Sequence, residues 1–108
     1  MGFDKLYRPL VVKSGTGVYH LKIYTLSATP TGIAANESGE QTFTITGLDS
    51  TYDRILSVNP PGSSTPLGLA DVRISADDTI AITWVNPTAA TATPTAGDYE
   101  VVVIRKQA

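Results

Sequence analysis

"TIAITWVNP", residues 79–87, decides the fold. Ile80, Ile82 and Trp84 alternate with Thr79, Ala81 and Thr83, the period-two pattern of a strand with one face against a core. The run then stops at "VNP". Proline has no N–H to give to a sheet ladder and pushes the residue before it away from the helical region, while asparagine tolerates turn geometry. The same stop occurs in "VNPP", residues 58–61, after the run "DRILSV". Both copies read as strand terminators at a rim.

Working outward, "TFTITG" sets Phe43 and Ile45 against Thr42, Thr44 and Thr46, and "ADVRIS" points Ala70, Val72 and Ile74 inward and Asp71 and Arg73 outward. In "DRILSV", alternation puts Leu56 and Val58 on one side and Ile55 on the other. "YEVVVIRK" carries Val101, Val102 and Val103 in succession, as expected of a strand central to its sheet and buried on both faces. Nearer the start, "RPLVVK" is a short apolar run after a proline, and "YHLKIYTL" alternates Leu21 and Ile23 with Lys22 and Tyr24. Gly, Pro, Asn, Asp and Ser clusters separate all of these. The expected fold is all-β: an antiparallel β-sandwich or jelly roll of about seven to eight strands. Residues 1–14 read as an N-terminal arm and residues 15–108 as the sandwich domain.

Composition limits the function. A chain of 108 residues holds one domain. Charged residues make up 17%, against about 25% in soluble proteins generally, so the surface is built from Thr, Ser, Ala, Pro and Gly. A net charge of −2 offers no cationic face for nucleic acid or an anionic membrane. With no cysteine, disulfides, zinc–thiolate sites and thiol nucleophiles are excluded. No stretch approaches the roughly 18 apolar residues of a membrane-spanning helix, and "MGFDKLYRPL" lacks the plan of a secretion signal; synthesis in a cytoplasm is expected.

Candidate chemistry is sparse. The single histidine, His20, has no serine or cysteine partner in view and reads as a rim residue. Asp77 and Asp78 in "SADD" read as a turn between two strands. Asp49 and Asp53 flank "STY" without the spacing of a calcium loop. Trp84, in phase with Ile80 and Ile82, reads as a core anchor rather than a sugar-stacking platform. No catalytic residue, metal ligand or cofactor site is expected, and the chain does not read as an enzyme.

The first segment, "MGFDKLYRPLVVKSG", is rich in large apolar and basic residues. It reads as an arm that packs on a neighbouring subunit or partner, with Phe3, Leu6 and Tyr7 as apolar anchors and Lys5, Arg8 and Lys13 as polar contacts. The other reading is an edge strand of the chain's own sheet.

From "GEQTFTITGL" through "VNPP" and "LGLADVRISADDTIAITWVNPTA" to "TAGDYEVVVIRK", the sequence resembles small virion proteins of tailed bacteriophages, namely capsid cement or decoration proteins, and the C-terminal domains of phage fibres. The likeness covers about two thirds of the chain and consists mostly of strand and turn signals. It implies a β-sandwich, usually a homotrimer, that assembles in the host cytoplasm and sits on the outside of the virion head with the major capsid protein as partner. The alternative it carries is a fibre or receptor-binding module, for which "GLDSTYD" with Tyr52 is the candidate loop.

Overall fold

The computed structural model describes residues 11–14 and 17–106, with side chains described from Val18 onward. They form seven strands: β1 (Val11–Ser14), β2 (Gly17–Ala28), β3 (Ser38–Thr44), β4 (Asp53–Asn59), β5 (Gly68–Ala76), β6 (Thr79–Val85) and β7 (Gly97–Lys106). Two antiparallel sheets result, one of four strands in the order β1-β2-β7-β4 and one of three in the order β3-β6-β5. The all-β, sandwich-like expectation is met. A jelly roll asks for two four-stranded sheets, and the second sheet has three strands among the described residues.

β5 and β6 are joined by a tight hairpin, β1 and β2 are sheet neighbours in antiparallel register, and the other four connections cross from one sheet to the other. Six of the seven prolines lie in those crossings, and none lies inside a described strand, because a proline there would remove a ladder bond. The turn at Asp77–Asp78 is as expected from "SADD", with Asp78 at φ 62°.

The two central strands carry the core. Ile80, Ile82 and Trp84 of β6 are buried with Tyr99, Val101 and Val103 of β7, joined by Leu26 and Ala28 of β2 and by Ile33, Ile45 and Leu48 from the crossings. Trp84 meets Phe43 and Tyr99 edge-on, at ring-centroid separations of 6.3 and 6.4 Å, the geometry that sets a positive ring edge against a negative face. The Tyr99 hydroxyl donates to Thr95 O, so this buried ring keeps a partner for its polar tip.

Strict alternation fails where a strand holds an extra residue. Register shifts between Ile55 and Ser57, between Leu69 and Asp71, and between Ile74 and Ala76. Leu56, expected to share a face with Val58, is the extra residue of the first bulge and is 56% exposed, while Ile55 and Val58 both pack on the core. Ala70, expected inward, is the extra residue of the second and is exposed. A bulge sets two residues against one on the partner strand, so the phase of everything beyond it changes. The triple valine also divides: Val101 and Val103 are buried and Val102 is half-buried, because β7 is central between β2 and β4 but, among the described residues, no second layer covers its outer side.

Candidate interaction surface

The two outer faces differ in chemistry. On the three-stranded sheet the outward rows are Thr44 and Thr79, then Thr42, Ala81 and Arg73, then Glu40, Thr83 and Asp71. Arg73 reaches diagonally across β6 to make a bidentate pair with Glu40, at 2.8 and 2.9 Å. That bridge lies over the Ala81 row and accounts for the burial of a residue expected to face water. The bond from Arg73 also holds the Glu40 carboxyl below its ordinary value. This face is polar and satisfied by its own side chains.

On the four-stranded sheet the outward rows are apolar in the middle. Leu21 of β2, Ile104 of β7 and Arg54 of β4 form one row; Ile23, Val102 and Ser57 form the next, with Leu56 beside them. Ile23 is 60% exposed. Alternation in "YHLKIYTL" correctly separates Leu21 and Ile23 from Tyr24, yet it is Tyr24 that packs on the core with Leu26 and Ala28. Toward one end of the face lie Lys106 and Arg54, toward the other Glu100 and Asp98, all exposed.

Where Lys22 comes near Asp53, the inner side of the sandwich is polar. Asp53 is buried and receives Arg105 Nε at 2.6 Å and Arg105 Nη2 at 2.7 Å, with the Asp49 N–H at 2.8 Å. Burial alone would raise its pKa, but these bonds and the charges of Arg105 and Lys22 outweigh it and hold the carboxyl below its ordinary value. Arg105 also donates to Gly47 O at 2.7 Å. Asp49 accepts from the N–H groups of Thr51 and Tyr52; Asp77 accepts from the N–H and hydroxyl of Ser50, which lower its pKa; Asp78 accepts from the Gly47 N–H. The acidic residues of "GLDSTYD" and "SADD" thus tie one rim loop to the next turn. Tyr52, where the loop enters β4 and its carbonyl accepts the Lys106 N–H, is 40% exposed.

An open cleft of about 420 Å³ lies between β4 and β5, lined by Ile55, Val72 and Ile74 together with Ser50, Asp53, Arg54 and Arg73. Both guanidiniums are engaged, Arg73 by Glu40 and Arg54 by the carbonyls of Thr51 and Asp53, so the cleft presents no ready anion site.

The other rim is held by Asn86. It is fully buried; its amide nitrogen donates to Ile33 O and Ala90 O, both at 2.9 Å, and its oxygen accepts from Thr88 N at 3.0 Å and Thr88 Oγ1 at 2.7 Å. With the Ile33–Ala92 bridge, it packs the low-complexity segment after β6 against the domain.

Compared with known proteins, the chain matches no family model, no curated protein and no solved structure. Its function is therefore argued from its surfaces.

Of the predicted contact residues, Phe3, Lys5, Leu6, Tyr7 and Arg8 lie outside the described residues. Lys13 is on β1, in register with Val18; residues 11–14 are thus an edge strand of the chain's own four-stranded sheet. His20 sits on β2 between Val11 and Arg105. Among the described residues, no group of three His, Asp or Glu side chains is placed to hold a metal ion. The outer face of β2, β7 and β4 was missed in the sequence; the signal was there in "YHLKIYTL", whose two alternating faces are both part apolar.

Proposed function

We propose that this protein is a structural component of a phage virion, a cement or decoration protein that binds the outside of the head and stabilises the capsid lattice. What supports the reading is a small sandwich whose outer face exposes Ile23 and Leu56, next to an edge strand that continues in sequence to a segment bearing Phe3, Leu6 and Tyr7. An exposed apolar patch rimmed by charge is the signature of an assembling surface. The partner is the major capsid protein, and the protein works as the homotrimer that the phage resemblance implies. A protein that binds only the assembled lattice stabilises it by mass action, and no bond need be made or broken.

Removing residues 1–10 takes no residue from any of the seven strands, the first of which begins at Val11. Under this reading the truncated protein no longer co-sediments with expanded phage heads lacking the protein, whereas the full chain saturates them. Full occupancy by the truncated protein would sink the role given to the arm.

A fibre or receptor-binding module is the second reading, favoured by the exposed Tyr52 at the end of a rim loop braced by Asp49, Asp53 and Asp77, where the chain enters β4. Tyr52→Ala then lowers adsorption of the virion to its host, and unchanged adsorption counts against it.

A further inference from the structure

The charges around the apolar outer face are arranged by end. Down the strands, the successive rows are Tyr19 and Lys106; Leu21, Ile104 and Arg54; Ile23, Val102 and Ser57 with Leu56; Thr25, Glu100 and Asn59; and Ser27 and Asp98. The upper end carries two cations, the lower end two carboxylates, and the middle Leu21, Ile23, Leu56, Val102 and Ile104. We infer that this face pairs with the same face of a second copy of the chain, about a two-fold axis that lies between the two sheets and runs across the strands.

The axis follows from the charges. Two sheets stacked face to face can be related by a two-fold along the strands or across them. The first sets cations on cations. The second reverses the strand direction, so that Lys106 of one copy meets the Asp98 end of the other and Arg54 meets the Glu100–Asn59 row. With the axis at the middle row, Ile23, Leu56 and Val102 are set against their own counterparts. A surface complementary to itself under one rotation is what an isologous dimer needs, and opposite charges at the rim fix the register.

Size sets the strength. Three strands about 4.8 Å apart and about nine residues long give a face of roughly 400 Å² in projection, so a dimer covers under about 1,000 Å², short of a stable specific interface and within the range of weak, transient ones. The expected complex is reversible and concentration-dependent. This inference does not rest on the capsid reading. A two-fold pairing closes at two copies, so a trimer would be built on another surface.

Sedimentation equilibrium over a concentration series tests it. The expected mass rises from the 11.4 kDa of one chain to twice that. Ile23→Glu, at a position already mostly exposed and so harmless to folding, holds the protein at the monomer mass. Lys106→Glu and Asp98→Lys each weaken pairing about tenfold, and an equimolar mixture of the two variants regains it, since each then meets the opposite charge. A wild-type protein that stays monomeric overturns the inference, as does an oligomer indifferent to Ile23→Glu or a mixture no stronger than its components. Pairing that appears only after residues 1–9 are removed also overturns it, because the chain's own first segment is then the occupant of this face.

Discussion

The chain uses "VNP" twice and does two different things with it. At residues 58–60, Asn59 is exposed and makes one long bond, 3.3 Å, from its amide to Glu100. At residues 85–87, Asn86 is fully buried and satisfies both ends of its amide through four bonds to Ile33, Thr88 and Ala90. Each copy ends a strand, as proline requires. Only the second copy also fastens a rim, because the crossing from β2 passes beside it and supplies the Ile33 carbonyl. Local sequence sets where the strand stops; the neighbour that happens to pass decides what the asparagine is worth.

The largest expected effect is at Asn86. Asn86→Ala removes four bonds and leaves the Thr88 N–H without its acceptor, while the Ile33 and Ala90 carbonyls keep one donor each, Ala92 N and Thr88 Oγ1; the loss is about 2–4 kcal/mol, read as a lower urea midpoint. A cost no greater than that of Asn59→Ala would erase the contrast between the copies.

Asp53 sharpens the contrast at the opposite rim, where a buried carboxylate plays the part of the buried amide. Asp53→Asn leaves Arg105 without its counter-charge and costs about 2–3 kcal/mol, less than a fully dry pair because Arg105 is partly exposed. The pH dependence gives it a separate signature. Asp53 has a folded pKa below its unfolded one, so its stabilisation is complete above the unfolded value of about 4 and is lost as pH falls through the folded value. Thermal midpoints therefore drop in acid below about pH 4, and Asp53→Asn flattens part of that drop. Glu40 and Asp77 are shifted in the same direction and keep the remainder.

A smaller effect isolates what the first copy does contribute. Pro61, just after it, packs on Gly97, whose φ is 141°; a Cβ there would stand 3.0 Å from Pro61 Cγ. Gly97→Ala is expected to cost about 1–3 kcal/mol through backbone strain, measured by the same denaturation. Smallest is Asn59→Ala, within about 0.5 kcal/mol as for other surface sites. If Gly97→Ala were neutral, neither the positive φ at Gly97 nor its contact with Pro61 would constrain the chain.

Much of the fold was legible because alternation is a local signal. Ile80, Ile82 and Trp84 share a face for no reason beyond the pleat, and "SADD" makes its turn from its own side chains. The bulges were not legible: Leu56 and Ala70 are ordinary strand residues, and only the partner strand shows that they are supernumerary. Ala81 misled for a related reason, since its cover comes from Glu40 and Arg73 on two other strands. Asn86 could be read as a terminator but not as a fastening, because its partners are carbonyls far along the chain. The outer face was hidden by the assumption that apolar alternation points to the core, whereas on β2 the core takes Tyr24, Leu26 and Ala28 and leaves Ile23 outside.

The bulge at Leu56 has an evolutionary consequence. With that residue deleted, Ile55, Ser57 and Val58 fall back into regular alternation against Val103, Val102 and Val101, and every inward contact of β4 keeps its place. A descendant lacking Leu56 would lose one apolar side chain from the outer face and nothing from the interior. Aligned with its ancestor it would show a one-residue gap in the middle of a strand, where gaps are least expected, and that gap would mark a change of surface rather than a change of fold.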